Sequence, residues 1–286
     1  SCACHRRVGH AKMRRDKFPG ESMSLARLSL VGLLGLAACG GSNSSSLGAT
    51  PATLDNSAIG TFGTFVALSA RMGAGARFGP FLNLVSPSVL QQTGCLSGNA
   101  TFTLSATGAG GAGPVTGNAN YASFDNCYFL PLNGTATVTG TLAGAAQVDS
   151  FTLEFANLAY SPTGSSQVFR ASGKMVLSWK PSVQGSAGYL MRLDAAVSDE
   201  NQKPVFRLDG FRIDSDLAAG IENMLVSGRL TTDRGFVDVS STNRLELSFP
   251  SHGFGSGSLD ITGASQVATL TYIGEGTFTA QIRPKA

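Results

Sequence analysis

The feature that most restricts the fold of this chain is a period-two alternation of apolar and polar residues, which recurs from Cys95 onward. In residues 151–155, Phe, Leu and Phe alternate with Thr and Glu, and residues 189–197 place five apolar side chains opposite Arg192 and Asp194. Successive side chains of a strand point to opposite faces, so each segment has one apolar and one polar face. This pattern is typical of antiparallel strands that cover a core on one side.

Turn-forming residues separate the alternating segments and indicate hairpins. They are Leu132-Asn133-Gly134, Pro162-Thr163-Gly164, Asp199-Glu200-Asn201, Asp233-Arg234-Gly235 and Gly274-Glu275-Gly276. The pattern predicts roughly ten to twelve strands, and 36 glycines with only 14% charged residues suit many short strands. We therefore expect an all-β domain over residues 95–286, with a large, mainly antiparallel curved sheet folded as a sandwich or half-barrel. The apolar parity switches at Gly210, which predicts a β-bulge there.

Residues 51–94 lack this alternation and are predicted to form a mixed segment. Residues 58–68 suit a short helical turn, and residues 87–92 suit another, with Ser86 as its cap. Gly60, Gly63 and the glycines of residues 73–79 argue against a longer helix.

The N-terminal region carries an export signal. Residues 23–38 join a basic start to a short apolar run, which is too short to span a bilayer but fits a signal peptide. The run ends in Leu-Ala-Ala-Cys at residues 36–39, which resembles a bacterial lipobox, so Cys39 is predicted to carry the lipid. The Gly- and Ser-rich residues 39–50 are then a flexible tether. Gly40, which follows the cysteine, favours the outer membrane, with the domain facing the periplasm or the cell surface.

Residues 1–22 fit neither a signal nor a domain, and Met23 begins a complete signal by itself. We therefore expect residues 1–22 to be an upstream extension from a gene start placed too early. Within this extension, Cys2, Cys4, His5 and His10 would be zinc ligands only if it were translated.

The charge of the exported part does not suggest a nucleic-acid partner. Residues 1–38 hold seven of the 21 Lys and Arg residues and two of the 18 Asp and Glu residues. The remaining 14 basic and 16 acidic residues give a net charge near −2. A basic surface for nucleic acid is therefore not expected.

Export also decides how Cys95 and Cys127 are interpreted. Disulfides persist in an oxidising periplasm, and no Cys-x-x-Cys sequence or neighbouring histidine indicates reactive thiols. A Cys95–Cys127 disulfide is predicted, with a stabilisation of about 3–4 kcal/mol.

Several short stretches resemble a group of uncharacterised proteobacterial outer-membrane lipoproteins. They are the Cys-Leu-Ser-Gly of residues 95–98, residues 123–127 with the Leu-Asn-Gly that follows, residues 228–231 leading into 235–240, and residues 250–263. Ser241 departs from the group, which often has Thr there. The resemblance implies a lipoprotein with this disulfide and implies no activity.

Residues capable of catalysis are sparse. His252 is the one histidine after residue 38, it lies in a glycine-rich loop, and no Gly-x-Ser-x-Gly sequence accompanies it. Asp209, Asp214 and Asp216 lack the spacing of an EF-hand loop. Two sets of residues leave alternatives open. The paired acids of a glycoside hydrolase could come from Glu154, Glu222, Glu246 and Glu275. A sugar or lipid site could be lined by Trp179, Tyr160, Tyr189 and Tyr272, but isolated aromatic residues more commonly pack in a core.

We thus expect a lipid-anchored envelope lipoprotein with a non-enzymatic binding or scaffolding role, and without catalytic residues, metal or cofactor. Its partners would be the membrane, through the anchor, and a hydrophobic or carbohydrate ligand or an envelope protein. The alternatives are a β-rich hydrolase acting on envelope polysaccharide and a surface adhesin.

Overall fold

The computed structural model describes residues 27–28, 46–76, 88–106, 113–142, 148–183, 186–218, 221–248, 253–274 and 276–286. Within these ranges there are one helix, α1 (Asn56–Ala76), and fourteen strands. The strands are β1 (Arg27–Leu28), β2 (Ser88–Thr93), β3 (Ser97–Ala106), β4 (Gly113–Asp125), β5 (Leu132–Leu142), β6 (Val148–Tyr160), β7 (Phe169–Val183), β8 (Ser186–Asp199), β9 (Pro204–Ala218), β10 (Ile221–Thr232), β11 (Gly235–Ser248), β12 (Ser256–Thr262), β13 (Gln266–Gly274) and β14 (Thr277–Pro284).

All fourteen strands of the described residues belong to one antiparallel sheet. From β2 to β14 each strand pairs with the next along the chain, and β1 lies beyond β14. The sheet is curved and does not close. The all-β, antiparallel prediction is confirmed, and because the sheet is single, the half-barrel describes it better than the sandwich. The strand number exceeds the expected ten to twelve because residues 88–93 and 27–28 also pair.

The predicted alternation sorts residues between the two faces of this sheet. On β8, Met191 and Leu193 are buried, whereas Arg192 between them is exposed. The predicted irregularity at Gly210 is confirmed, since Gly210 has a φ of 58° and the β8–β9 register shifts between Leu193 and Ala195.

Helix α1 is longer than the predicted turn at residues 58–68. Asp55 caps it, because its Oδ1 accepts a hydrogen bond from the backbone N–H of Ala58 at 2.6 Å. From Ala58 to Ala76 every residue except Thr61 is buried. A helix that is apolar or small on every side is stable only when it is surrounded by protein, so its sequence has no amphipathic stripe.

The helix crosses the concave face of the sheet and fills it. An added Cβ on Gly63 would lie 2.8 Å from Leu270 of β13, and Phe65 stacks on Phe206 of β9 with ring centroids 4.5 Å apart. At its other end, the Tyr121 hydroxyl of β4 donates to the carbonyl oxygen of Ala76 at 2.7 Å. The inner apolar face is thus occupied by the chain's own helix.

Two local predictions are wrong. Residues 87–92 were expected to be helical, but Ser88–Thr93 is the edge strand β2, because pairing with β3 outweighs the weak helical tendency. Leu132-Asn133-Gly134 was expected to be a turn, but it begins β5, and the loop is the preceding residues 126–131.

The segment before α1 is fixed to two hairpins. The N–H of Gly48 donates to the carbonyl of Thr232, and the N–H of Ala52 donates to that of Phe236, both at 2.8 Å. The Ala52 carbonyl in turn accepts from Ala264. The chain therefore enters the domain beside the β10–β11 and β12–β13 turns. Among the described residues, no helix is long and apolar enough to cross a membrane.

Candidate functional site

An open groove of about 580 Å³ lies across β7–β11 on the polar, outer side of the sheet. The sheet is irregular here: the β10–β11 register shifts between Met224 and Ser227, and the β9–β10 register shifts between Ser227 and Arg229. Gly228 has a φ of 139°, and an added Cβ there would lie 2.6 Å from the Phe211 Cα. These departures from regular pairing coincide with the groove.

One row of cross-strand neighbours places two arginines side by side in the groove. Val176 pairs with Arg192, Arg192 with Arg212, and Arg212 with Ser227. Like charges directly opposite each other in an antiparallel pair are destabilising. Arg192 is compensated by Asp194, with Nε–Oδ2 at 2.8 Å, whereas within the described ranges no hydrogen bond or ion pair joins the Arg212 side chain to another residue.

The adjacent row carries exposed apolar side chains. Leu190 and Leu225 both pair with Asp214, which lies between them, and they are 49% and 36% exposed. Two positions along a strand separate this row from the arginines, which is about 7 Å. Beside the two arginines, the groove therefore has two exposed leucines with the Asp214 carboxylate between them.

The carboxylates at the apolar side of the groove already have cationic partners. The Lys180 ammonium contacts Asp214 and lies 2.9 Å from Asp216, which also pairs with Arg244. Partial burial opposes charging of Lys180, but the two carboxylates outweigh it and raise its pKa. The hydrogen bond from Lys180, with smaller help from Arg244, lowers the pKa of Asp216.

The Asp194 carboxylate, at the arginine side of the groove, also has two hydrogen-bond donors. Its Oδ1 accepts from the backbone N–H of Gly210 at 2.5 Å, and its Oδ2 pairs with Arg192. Partial burial opposes its ionisation, yet these two donors outweigh burial and lower the pKa of Asp194. Asp194 and Asp214, the two acids nearest the arginines, thus each have a cationic partner.

A second polar cluster is fully buried beneath the sheet. The carboxylate of Glu222, on β10, accepts hydrogen bonds from the hydroxyls of Tyr128 at 2.5 Å, of Ser215 at 2.7 Å and of Tyr189. All four residues are at most 1% exposed. Because a substrate cannot reach them, we assign this cluster to the stability of the fold.

The loop between β4 and β5 delivers Tyr128 to that cluster. Asp125 accepts from the Tyr128 N–H at 3.0 Å, and the guanidinium of Arg71, on α1, donates to the carbonyls of Tyr128 and Phe129. Burial lowers the pKa of Arg71 to about 10, although Asp125 opposes the shift. Burial raises the pKa of Asp125 despite the loop N–H donors and Arg71.

Cys95 and Cys127 form a disulfide, as the sequence predicts, with Cα atoms 5.0 Å apart. Cys95 lies in the turn between β2 and β3, and Cys127 lies in the loop between β4 and β5. The bond therefore ties the edge of the sheet to the loop that carries Tyr128.

The other candidates from the sequence do not converge on one site. Cys39, Cys2, Cys4, His5, His10, His252 and Glu275 lie outside the described residues. Asp209 pairs with Arg207, and Glu154 with Lys174. Within the described ranges, no three His, Cys, Asp or Glu side chains form a group that could hold a metal.

The aromatic candidates pack in the core rather than on a surface. Tyr160 stacks on Phe169, and Trp179 lies edge-on to Tyr189. Burial raises the pKa of Tyr160 and of Tyr272. The groove arginines were missed, because outward arginines on separate strands give no sign of adjacency until the register is known.

No family model, no curated protein and no solved structure matches this chain. Its function is therefore argued from its own residues.

Proposed function

We propose that this protein is a lipid-anchored outer-membrane lipoprotein of the group its motifs resemble, with a non-enzymatic binding role in the envelope. The observation that carries the proposal is the Leu-Ala-Ala-Cys sequence at residues 36–39, after a basic start and a short apolar run. A thiol in that position is the acceptor of the lipid in lipoprotein signals.

The position of the segment before α1 supports a lipid anchor at Cys39. Six residues, mostly Gly and Ser, separate Cys39 from Ser46, where the described chain resumes. Fully extended, they reach about 20 Å. The β10–β11 turn, to which Gly48 is bonded, then lies close to the membrane surface.

The disulfide supports an exported protein. Cys95 and Cys127 are bonded in the domain that follows the signal, and such bonds persist outside the reducing cytosol.

A binding role is supported by the chemistry at the groove. The acids nearest the two arginines, Asp194 and Asp214, are each engaged by a cation. A glycoside hydrolase needs two carboxyl groups that flank the scissile bond, one of them protonated. The lowered pKa of Asp194 suits a charged structural partner rather than a catalytic acid.

Metabolic labelling with a radioactive fatty acid tests the anchor. The wild-type chain should take up the label and sediment with outer membranes, whereas Cys39→Ser should do neither. The double variant Cys95→Ser/Cys127→Ser is the matched control and should keep its label, since it retains Cys39. An unlabelled wild-type chain, or a labelled Cys39→Ser chain, would contradict the proposal.

A further inference from the structure

The two arginines of the outer groove form a cationic pair that the fold leaves incompletely neutralised. Arg192 and Arg212 are direct cross-strand neighbours, and of the two only Arg192 has a carboxylate partner among the described residues. Guanidinium groups bind carboxylates through paired, charge-assisted hydrogen bonds. An anion placed between the two side chains would relieve their repulsion.

The exposed apolar side chains beside the arginines favour an anion that carries an apolar group over a small inorganic anion. Leu190 and Leu225 are exposed on strands whose inward neighbours are buried, and Val176 adjoins Arg192 in the register. Covering exposed apolar surface with an alkyl chain removes that surface from water, which favours binding. The groove volume of about 580 Å³ is in the range of small-molecule sites.

The charge balance distinguishes a singly charged ligand from a doubly charged one. Asp194 offsets Arg192, Lys180 offsets Asp214, and Arg244 offsets Asp216. Arg212 is then the one surplus charge among the described groups at the groove. A ligand with one negative charge would neutralise this single positive charge, whereas a phosphate dianion would leave the groove with a net negative charge.

We propose that this groove binds a long-chain fatty acid, with its carboxylate between Arg192 and Arg212 and its alkyl chain over Leu190 and Val176, on the β7–β8 side of Asp214. The inference deepens the proposed binding role and rests on it. It adds the chemical class of the ligand and the residues that recognise it.

Binding of palmitate to the purified full-length protein, held in neutral alkyl maltoside, tests the proposal by native mass spectrometry. Palmitate should bind with one molecule per chain, and hexadecanol, hexadecyl phosphate and acetate should each bind more weakly. Hexadecanol lacks the negative charge, hexadecyl phosphate carries more negative charge than the groove can balance, and acetate lacks the alkyl chain.

Variants locate the site. Arg212→Gln and Leu190→Ser should each weaken palmitate binding about tenfold, while Arg207→Gln, an exposed arginine paired with Asp209 away from the groove, should leave it unchanged. The thermal unfolding temperature of each variant should equal that of the wild type, which shows that the variant is folded. Arg212→Lys keeps the positive charge and should retain part of the palmitate binding.

The proposal is overturned by an absence of palmitate binding, by equal binding of hexadecanol, by tighter binding of hexadecyl phosphate, or by wild-type affinity in both groove variants. These outcomes are separable from failure of the proposed function. A chain that binds palmitate at the groove but bears no lipid on Cys39 refutes the anchor alone, and an acylated chain that ignores palmitate refutes the ligand alone.

Discussion

The Nε of Arg71 donates a hydrogen bond of 2.9 Å to the backbone carbonyl of Tyr128, which lies 57 positions further along the chain. Arg71 belongs to the central helix, and Tyr128 belongs to the loop that carries Cys127. One side chain thus joins the helix, the disulfide-bonded loop and, through the Tyr128 hydroxyl, the buried Glu222.

Arg71→Met should lower the free energy of unfolding by about 2–4 kcal/mol, because it leaves the carbonyls of Tyr128 and Phe129 without their buried donors. Urea denaturation followed by circular dichroism measures the change. Arg234→Met is the control: Arg234 is near the other end of α1 but exposed, where it contacts Asp55 and Ser57, and its loss should cost less than about 1 kcal/mol. Equal effects in the two variants would contradict the assigned role of Arg71.

Glu222→Gln should lower the free energy of unfolding by about 1–3 kcal/mol, since the amide has one acceptor oxygen where the carboxyl has two, and a buried hydroxyl then loses its acceptor. Tyr128, Tyr189 and Ser215 all donate to this carboxylate, and the amide group can accept from fewer of them. Glu154→Gln, at an exposed position of β6, is the matched control with little expected change. A Glu222→Gln protein as stable as wild type would show that the buried cluster does not contribute to stability.

Gly63→Ala and Gly75→Ala should change stability in opposite directions. An added Cβ at Gly63 would lie 2.8 Å from Leu270 and 3.2 Å from the Phe278 ring, so overpacking should cost about 1–3 kcal/mol. At Gly75 the nearest atom is 3.7 Å away, on Tyr128, so the gain of up to about 1 kcal/mol in helix propensity should prevail. Melting temperatures test the pair, and destabilisation by both substitutions would mean that the helix tolerates no added side chain at either position.

Lys180→Gln should reduce stability near neutral pH by about 1 kcal/mol or less, because both ion pairs are partly exposed to solvent, which screens them. Since the pKa of Asp216 is lowered in the folded protein, its contribution is present above its unfolded pKa of about 4 and is lost as the pH falls through the folded pKa. In denaturation curves, the stabilities of the wild type and the variant should therefore begin to converge below about pH 4 and should meet once the pH is below the lowered pKa of folded Asp216. Lys203→Gln, which removes an exposed lysine without an ion pair among the described residues, should show no such pH dependence, and a gap that persists in acid would contradict the assignment.

The alternation of the sequence was sufficient to predict the sheet, its faces and the irregularity at Gly210, because all three depend on residues close together in the chain. The length of α1 was underestimated for a physical reason. Gly63 and Gly73 weaken a helix in isolation, but here they give Leu270 and Met191 room to approach it. That advantage arises only from residues more than a hundred positions away.

The groove could not have been predicted, because it depends on strand register. A shift of one residue between β8 and β9 would separate Arg192 from Arg212 and turn one of them inward. The shifts that set the register lie at Ser227 and at Leu193, and their effect on distant pairs is not encoded locally.

Several residues of the short motifs named in the sequence analysis occupy backbone positions with special geometry. Ser123 and Cys127 have positive φ values of 51° and 69°, and Asn133 accepts a hydrogen bond from the Ser123 N–H at 2.8 Å. Gly228 lies at the shift in β10. These residues determine the shape of the sheet and of the loop between β4 and β5.

Intact-mass and tandem mass spectrometry of the protein extracted from outer membranes tests the central claim most directly, since it reads the first residue, its modification and the disulfide in one sample. The account predicts a chain that begins at Cys39, carries acyl chains on that residue and contains the Cys95–Cys127 bond. A chain that retains the residues before Cys39, with an unmodified thiol at that position, would contradict it.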